Sequence, residues 1–289
     1  MKAIYIPVSD RPECVVALHQ GFTIGQQIGA NIIGYHIRPH RDSTVKLPDE
    51  SKSSVLGIPS FDAAWESALE EKASNEAHIK AKLLFDKMAD QFNYTLSKKP
   101  KAKPAAFWTE KVGSPERLFS IMGPVSDLMM VSRPAKKGRS LANTIMLSSV
   151  LHSSSPVMIL PQTMTKTLGK RIAIAWNQSA EASLALKAAM PLLQAAKAVN
   201  IITNGAENRL GPKASHLVNY LSYWGIEANH TKVKDNNDTN AILNGYQETK
   251  SDLLIMGGYS RSRLRQQIFG GVTQHMLHDA NIPVFMLHS

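Results

Sequence analysis

The sequence predicts an α/β protein made of two tandem, doubly wound domains, each a five-stranded parallel sheet with helices on both faces. Three observations support this fold class. Short buried-strand patterns alternate with helical patterns, which is typical of a parallel sheet covered on both faces. The whole alternation occurs twice, at a period far longer than that of a solenoid repeat. The apolar run Leu253–Met256 ends in two glycines and leads through a loop to a helical pattern after Gly270-Gly271.

The matching segments of the two halves set the predicted domains at 1–162 and 170–289. Four strands match in pairs, and a polar, unpatterned stretch at 161–167 separates the halves. The pairs are Ala3–Val8 with Arg171–Trp176, Asn31–Tyr35 with Val199–Ile202, Asp127–Val131 with Asp252–Met256, and Ser155–Leu160 with Ile282–Leu287. A third strand is predicted at Ala105–Trp108 in the first half and, mainly from its position, at His230–Lys234 in the second. Each half therefore follows the order β-α-β-α-β-α-β-α-β, with right-handed crossovers.

Apolar spacing and capping residues indicate the helices between these strands. In the first half, apolar residues recur every three or four positions over Phe61–Phe92, which predicts one long amphipathic helix. Ser114–Glu116 predicts a capped helix start with a proline in the first turn, and Ser179 predicts an N-cap in the second half. The stripe Leu217–Trp224 predicts a helix that stops at Gly225. All four tryptophans are expected in the core.

Length and composition limit the class of protein. A chain of 289 residues is long for one domain, and 43% hydrophobic with 19% charged residues is typical of globular proteins. No apolar run approaches the ~20 residues of a membrane span, and Met1–Pro7 is too short for a signal peptide. Cys14 is the only cysteine, so no internal disulfide or cysteine metal cluster is expected. We therefore expect a cytoplasmic protein with no membrane partner.

The net charge of +10 is shared evenly along the chain. Residues 1–162 hold 20 Lys or Arg against 15 Asp or Glu, and the remainder holds 13 against 8. The one dense basic cluster, Lys98–Lys103, has no interleaved aromatic residues and lies between a helix and a strand pattern. These features favour a solvated connection over a nucleic-acid site.

The strand–loop–helix stretch of the second half resembles the signature of universal stress proteins. The resemblance lies in Met256–Leu264 and Phe269–Thr273, and Ala175-Trp176-Asn177 with Ser179 resembles the opening strand of tandem members. It covers both halves and is stronger in residues 171–289. It implies a Rossmann-like, adenine nucleotide alpha hydrolase-like sheet with strand order 3-2-1-4-5, a cytoplasmic location and a role in stress tolerance.

Nucleotide-binding members of that family carry Gly, two residues, Gly, nine residues, then Gly and Ser or Thr. In this sequence Gly257 and Gly270 match the first and third glycines, whereas Ser260 replaces the second and Gly271 replaces the Ser or Thr. Asn177 replaces an acidic residue at the end of the first strand. The first half departs further, so no nucleotide site is expected there.

The resemblance nevertheless implies a weak site for ATP with magnesium in domain 2. Backbone N–H groups at a glycine-flanked helix N-terminus suit a phosphate. Alternating arginines in the loop could offset the lost contacts, although a solvated basic loop is the slightly favoured explanation. The candidate binding residues are Asn177, Gly257, Ser260, Arg261, Arg263, Gly270, Gly271 and Val272. No catalytic or metal-binding residue is predicted.

Three functional classes stay open at this stage. The first is a non-enzymatic stress-response and signalling protein with that nucleotide site. The second is a ligand-free interaction scaffold, which the altered motif favours. The third is an adenine-nucleotide hydrolase, but the sequence offers no convincing acid, base or metal set for it. His275 and His278 lie one turn apart without an evident third ligand, and His36 and His40 are expected in a loop.

The last strands of the two halves predict how the halves associate. Val157–Leu160 and Val284–Leu287 are apolar, follow a proline and would lie at a sheet edge. Because an uncovered edge strand invites aggregation, pairing or covering is expected. We predict a pseudo-dimer within one chain, and a further homodimer of chains is a second hypothesis.

Overall fold

The computed structural model describes residues 1–38, 75–99, 103–134, 141–164, 166–258 and 271–288, and the structural statements below concern these residues. The chain divides into two compact units. The first unit comprises Met1–Ser155 with Leu160–Met164, and the second comprises Pro156–Ile159 with Thr165–Ser289.

The first unit contains a parallel sheet in the order β3-β2-β1-β4. Its strands are β1 (Ala3–Pro7), β2 (Asn31–Arg38), β3 (Ala106–Val112) and β4 (Leu128–Ser132). Ile4 of β1 pairs with Ile32 on one side and with Leu128 on the other. Consecutive residues of β1 and β2 are apolar and largely buried, as expected for strands with helices on both faces.

Helices connect these strands, and their ends follow from local sequence. They are α1 (Pro12–Ile28), α2 (Asn75–Gln91), α3 (Pro115–Met122) and α4 (Leu141–His152). Helix α1 ends at Gly29, which takes a left-handed φ of 63° that glycine adopts without strain. The predicted start of α3 is confirmed, because Ser114 Oγ accepts a hydrogen bond from Arg117 N–H at 3.3 Å.

The second unit contains the predicted five-stranded parallel sheet. Its strands are β6 (Arg171–Ala175), β7 (Ala198–Asn204), β8 (Ala228–Val233), β9 (Leu253–Gly257) and β10 (Val284–Leu287). Read as β8-β7-β6-β9-β10, their order is the predicted 3-2-1-4-5. Strand β5 (Val157–Leu160) contributes residues 157–159 to this unit, where they pair antiparallel with β10.

Within the described residues, five helices accompany this second sheet. They are α5 (Ala180–Ala188), α6 (Met190–Ala195), α7 (Ala214–Ser222), α8 (Asp238–Glu248) and α9 (Gly271–His278). The predicted N-cap of α5 is confirmed, because Ser179 Oγ accepts from Ala182 N–H at 3.1 Å. Gly225, which was predicted to stop α7, has a left-handed φ of 71° three residues after the helix ends. None of the described helices is long and apolar enough to cross a membrane.

In both units, an aspartate just before the fourth strand of the sheet binds backbone N–H groups at the start of the sheet's first strand. In the first unit, Asp127 Oδ2 accepts from the backbone N–H groups of Lys2 (2.5 Å) and Ala3 (2.9 Å). In the second, the Asp252 carboxylate accepts from three consecutive N–H groups, those of residues 169, 170 and 171, at 2.8–3.1 Å. The duplication therefore extends to a specific side-chain contact.

Some predictions of local structure were wrong. Strand β2 continues to Arg38, so His36 lies in a strand, buried, with Nδ1 donating to Val8 O at 2.8 Å. His40 and the beginning of the predicted long helix Phe61–Phe92 lie outside the described residues. Trp176 is buried as expected, but Trp224 is 48% exposed because it follows the end of α7.

Candidate functional site

The second unit has a crevice where ligands bind in sheets of this kind. Strands β6 and β9 are parallel neighbours, with Ile172 opposite Leu253, so their carboxyl ends meet at one edge of the sheet. From β6 the chain continues to β7 on one side, and from β9 to β10 on the other. The strand order therefore reverses between β6 and β9, which is the usual position of a ligand site in open α/β sheets.

Gly257 ends β9 at this crevice and lies against the first turn of α5. A Cβ atom on Gly257 would lie 2.6 Å from the backbone nitrogen of Ala182 and 2.7 Å from the carbonyl carbon of Glu181. Because both atoms belong to the backbone, a larger residue would have to displace the helix. Packing alone thus explains the first glycine of the motif, whether or not a phosphate binds.

Asn177 lies just beyond β6 and is exposed, as a ligand-binding residue should be. Its Oδ1 accepts a hydrogen bond from Ser179 N–H at 3.2 Å. This contact holds the turn into α5 and uses one acceptor of the amide group. A neutral amide here brings no negative charge to the crevice.

Gln178, which sequence analysis missed, organises the neighbouring loop. It is 7% exposed and has a left-handed φ of 63°. Its Nε2 donates to the carbonyls of Arg209 (3.1 Å) and Gly211 (3.0 Å), and its Oε1 accepts from Arg209 N–H at 3.2 Å. Nearby, Trp176 Nε1 donates to Pro212 O at 2.8 Å. These contacts fix residues 205–213, the loop after β7, against the turn after β6.

Gly271 begins α9, and Val272 follows it in the first turn. Gly271 is exposed, and a Cβ atom there would meet no atom of the described residues within 4 Å. Among these residues, neither backbone conformation nor space requires glycine at this position. The helical pattern after Gly270-Gly271 forms α9, in which Met276 and Leu277 are buried whereas Val272 is partly exposed.

The remaining candidate binding residues lie outside the described part of the chain. They are Ser260, Arg261, Arg263 and Gly270. The structure thus describes Asn177, Gly257, Gly271 and Val272 but not the loop between β9 and α9. Of the described four, Asn177 and Gly257 lie at the carboxyl ends of two adjacent strands.

The corresponding crevice of the first unit, between the ends of β1 and β4, is small and mainly apolar. The cavity there measures about 40 Å³, which is space for roughly three water molecules. Tyr35 and Ser132 line it, and their hydroxyl oxygens have no hydrogen-bond partner among the described residues. Burial raises the pKa of the Tyr35 phenol to about 12 and also raises that of the Cys14 thiol. These shifts indicate surroundings that disfavour negative charge.

Metal-binding groups do not assemble in the described part of the chain. No cluster of three or more His, Cys, Asp or Glu side chains there could hold a metal ion.

Comparison with known proteins identifies a family match in the second unit and the fold of the whole chain. Residues 175–288 match the model of the universal stress protein family. No match was found among curated proteins. A universal stress protein from Archaeoglobus fulgidus DSM 4304 has a similar structure, with a TM-score of 0.66 and 17% identity, over 99% of this chain and 98% of that one.

A second solved structure covers the chain equally well. It is a putative universal stress protein from Pseudomonas aeruginosa UCBPP-PA14, with a TM-score of 0.56, 13% identity, and coverage of 100% of this chain and 93% of that one. At such identities the similarity establishes the fold alone. The family match then identifies residues 175–288 as a universal stress protein domain within a chain whose fold is that of universal stress proteins throughout.

Proposed function

We propose that this chain is a non-enzymatic, cytoplasmic stress-response protein whose second unit binds an adenine nucleotide weakly. The family match over residues 175–288 supports the stress-response role. The observation that carries the nucleotide site is the crevice between β6 and β9, together with the exposed N-terminus of α9 at Gly271. Backbone N–H groups at a helix N-terminus favour a phosphate group.

The proposed affinity is low for reasons that the described residues supply. Gly271 offers no hydroxyl to a phosphate, and Asn177 gives the nucleoside a neutral amide that already accepts a hydrogen bond. A nucleotide with magnesium is therefore expected to bind with a dissociation constant in the millimolar range.

Variants of Gly271 test this proposal with little expected disturbance of the fold, because a side chain there meets nothing in the described part of the chain. Gly271→Ser should tighten ATP binding about tenfold or more, because a hydrogen bond to a charged group contributes about 1.5–3 kcal/mol. Gly271→Asp should abolish binding, while an acidic residue at the helix N-terminus preserves α9. Calorimetric titration with ATP and magnesium measures both effects. Asn281→Asp, which adds the same charge at an exposed site beyond α9, serves as the control.

Two results would remove the nucleotide from this proposal. One is the absence of heat and of any thermal shift with the wild-type protein at millimolar ATP. The other is equal affinity of wild type, Gly271→Ser and Gly271→Asp for ATP, since the affinity of a nucleotide bound elsewhere would not depend on this residue.

A ligand-free interaction scaffold is the second candidate function. The hydrogen bonds of Gln178, and of Asn177 with Ser179, favour it, because polar groups near the crevice bind one another. Mass spectrometry of the purified protein distinguishes the two, since a scaffold would carry no nucleotide. Magnesium-dependent phosphate release that is lost in Gly270→Asp would instead indicate a hydrolase.

We also propose that the two halves form a pseudo-dimer within one chain, with a further homodimer of chains. The tandem fold is compatible with such a pairing. The mass of the protein in solution, measured by light scattering, distinguishes one chain from two.

A further inference from the structure

A cavity of about 250 Å³ lies between α5 and α7 of the second unit. Its apolar walls come from Trp176, Leu186, Pro212 and Leu217. For comparison, an engineered apolar cavity of about 150 Å³ is large enough to bind benzene. Drug-sized ligands usually occupy about 300–1,000 Å³, so this space suits one small ring system.

The walls of the cavity are held in place before any ligand arrives. Trp176 and Pro212 are joined by the indole hydrogen bond of 2.8 Å. The loop that carries Pro212 is bound by Gln178 on one side and by Glu207, whose Oε1 accepts from Ala214 N–H at 2.5 Å, on the other. Because a preformed site loses little conformational freedom on binding, even a small ligand can gain useful affinity.

The charge around the cavity is positive and uncompensated. Among the described residues that line it, Lys187 is the only lysine, arginine or acidic residue. Lys187 is exposed, and no carboxylate lies within 4 Å of it in the described part of the chain. A negatively charged group at the cavity would therefore meet a cation, with no acid among the described lining residues. Glu207, on the supporting loop, has its Oε1 bound to the Ala214 N–H.

His216 adds a hydrogen-bond donor to the same lining. Its Nδ1 accepts from Lys213 N–H at 3.1 Å, so Nδ1 carries no proton. The neutral ring must then carry its proton on Nε2, which is thereby a donor. The hydroxyl groups of Ser183 and Tyr220 also line the cavity and supply further donors.

We propose that this cavity binds a small planar aromatic molecule that carries one anionic group, such as an aryl carboxylate. The ring packs between the indole of Trp176 and the side chains of Leu186 and Leu217, where aromatic contacts stabilise it. The anion lies near the Lys187 ammonium group and the His216 N–H. This site is separate from the nucleotide crevice and does not depend on it.

Benzoate and its neutral analogue benzamide test this proposal. The probe signal is the indole N–H resonance of Trp176, assigned by its loss in Trp176→Phe. Benzoate should shift this resonance with a saturable, millimolar dependence. In Lys187→Gln its affinity should fall about fivefold, as expected for an exposed ion pair. Lys197→Gln, another exposed lysine of the same unit, should leave the affinity unchanged.

The analogue and the variants separate a built site from weak surface binding. Benzamide should bind less tightly than benzoate and should be insensitive to Lys187→Gln. Ser183→Phe, which fills the cavity, should abolish both interactions while circular dichroism shows an intact fold. Gly271→Asp and saturating ATP should leave benzoate binding unchanged.

Three results would overturn the inference. The first is a resonance that does not respond to benzoate at tens of millimolar. The second is an equal effect of Lys187→Gln and Lys197→Gln, which would reduce the interaction to general charge attraction. The third is competition between ATP and benzoate for the Trp176 signal, which would make the cavity part of the nucleotide site.

Discussion

Gln178 provides a stringent test of how the turn after β6 is held. Gln178→Ala removes three hydrogen bonds of 3.0–3.2 Å and keeps the left-handed backbone. A typical hydrogen bond contributes about 0.5–1.5 kcal/mol. Arg209 and Gly211 are exposed, so water compensates part of the loss, and we take the lower half of that range. The expected cost to the free energy of unfolding is about 1.5–3 kcal/mol.

Gln178→Gly separates the hydrogen bonds from the backbone conformation. It removes the same three bonds but relieves a left-handed conformation that costs about 1–2 kcal/mol for other residues. Glycine also loses more conformational freedom on folding than other residues, which lowers the stability of this variant by about 0.5–1 kcal/mol. The glycine variant should therefore be more stable than Gln178→Ala by about 0.5–1 kcal/mol.

Urea denaturation measures these differences, and hydrogen exchange locates them at the amide of Arg209, which donates to Gln178. Lys250 is a matched control, since it has a left-handed φ of 50° and an exposed side chain. Lys250→Gly should stabilise the protein by about 0.5–1 kcal/mol. If Gln178→Ala costs less than about 0.5 kcal/mol, as a typical surface substitution does, the loop is not held by this side chain.

Three further predictions concern other positions. Asp252→Ala should lower the free energy of unfolding, measured by urea denaturation, by about 2–3 kcal/mol, because Asp252 binds three N–H groups. Asp127→Ala should lower it less, because Asp127 binds two. A larger loss for Asp127→Ala than for Asp252→Ala would contradict this prediction. Gly257→Ala should destabilise the protein by about 1–3 kcal/mol, because the added methyl group collides with α5. Gly271→Ala should not lower the melting temperature. Equal effects of the two substitutions would show that α5 moves to accommodate the methyl group. Burial lowers the pKa of His36 below its usual 6.5, so the folded state binds fewer protons than the unfolded chain and stability should fall as the pH drops through 6.5. His36→Phe should flatten that decline, and an unchanged pH profile of the unfolding free energy would refute the assignment.

The fold could be predicted because its signals are repeated and local. Most strands of the parallel sheets are short apolar runs, and the two halves repeat the order of elements. The polar strand β8 (Ala228–Val233) could be predicted mainly from its position in that order. The caps at Ser114 and Ser179 were also visible, since hydroxyl residues before an acidic first turn are strong helix starts. Strand β2 was predicted too short because His36 and Arg38 are polar, although His36 satisfies its Nδ1 with a backbone carbonyl.

The site was less predictable because its determinants are contacts between distant residues. Glutamine rarely adopts a left-handed φ, so nothing in the sequence marked Gln178. Gly257 was correctly singled out, but its close approach to α5 depends on tertiary packing. The cavity between α5 and α7 likewise arises from the fixed loop 205–213, which the sequence shows only as a polar connection.

The pairing of residues 157–159 with β10 has a practical consequence for dissecting the molecule. A fragment that starts at 170, where the sequence places the second domain, would lack this strand. The outer edge of Val284–Met286 would then expose backbone N–H and C=O groups that are paired in the whole chain. We expect such a fragment to self-associate, as light scattering would show. A boundary placed by the sequence repeat alone thus leaves a backbone edge of the second sheet unpaired.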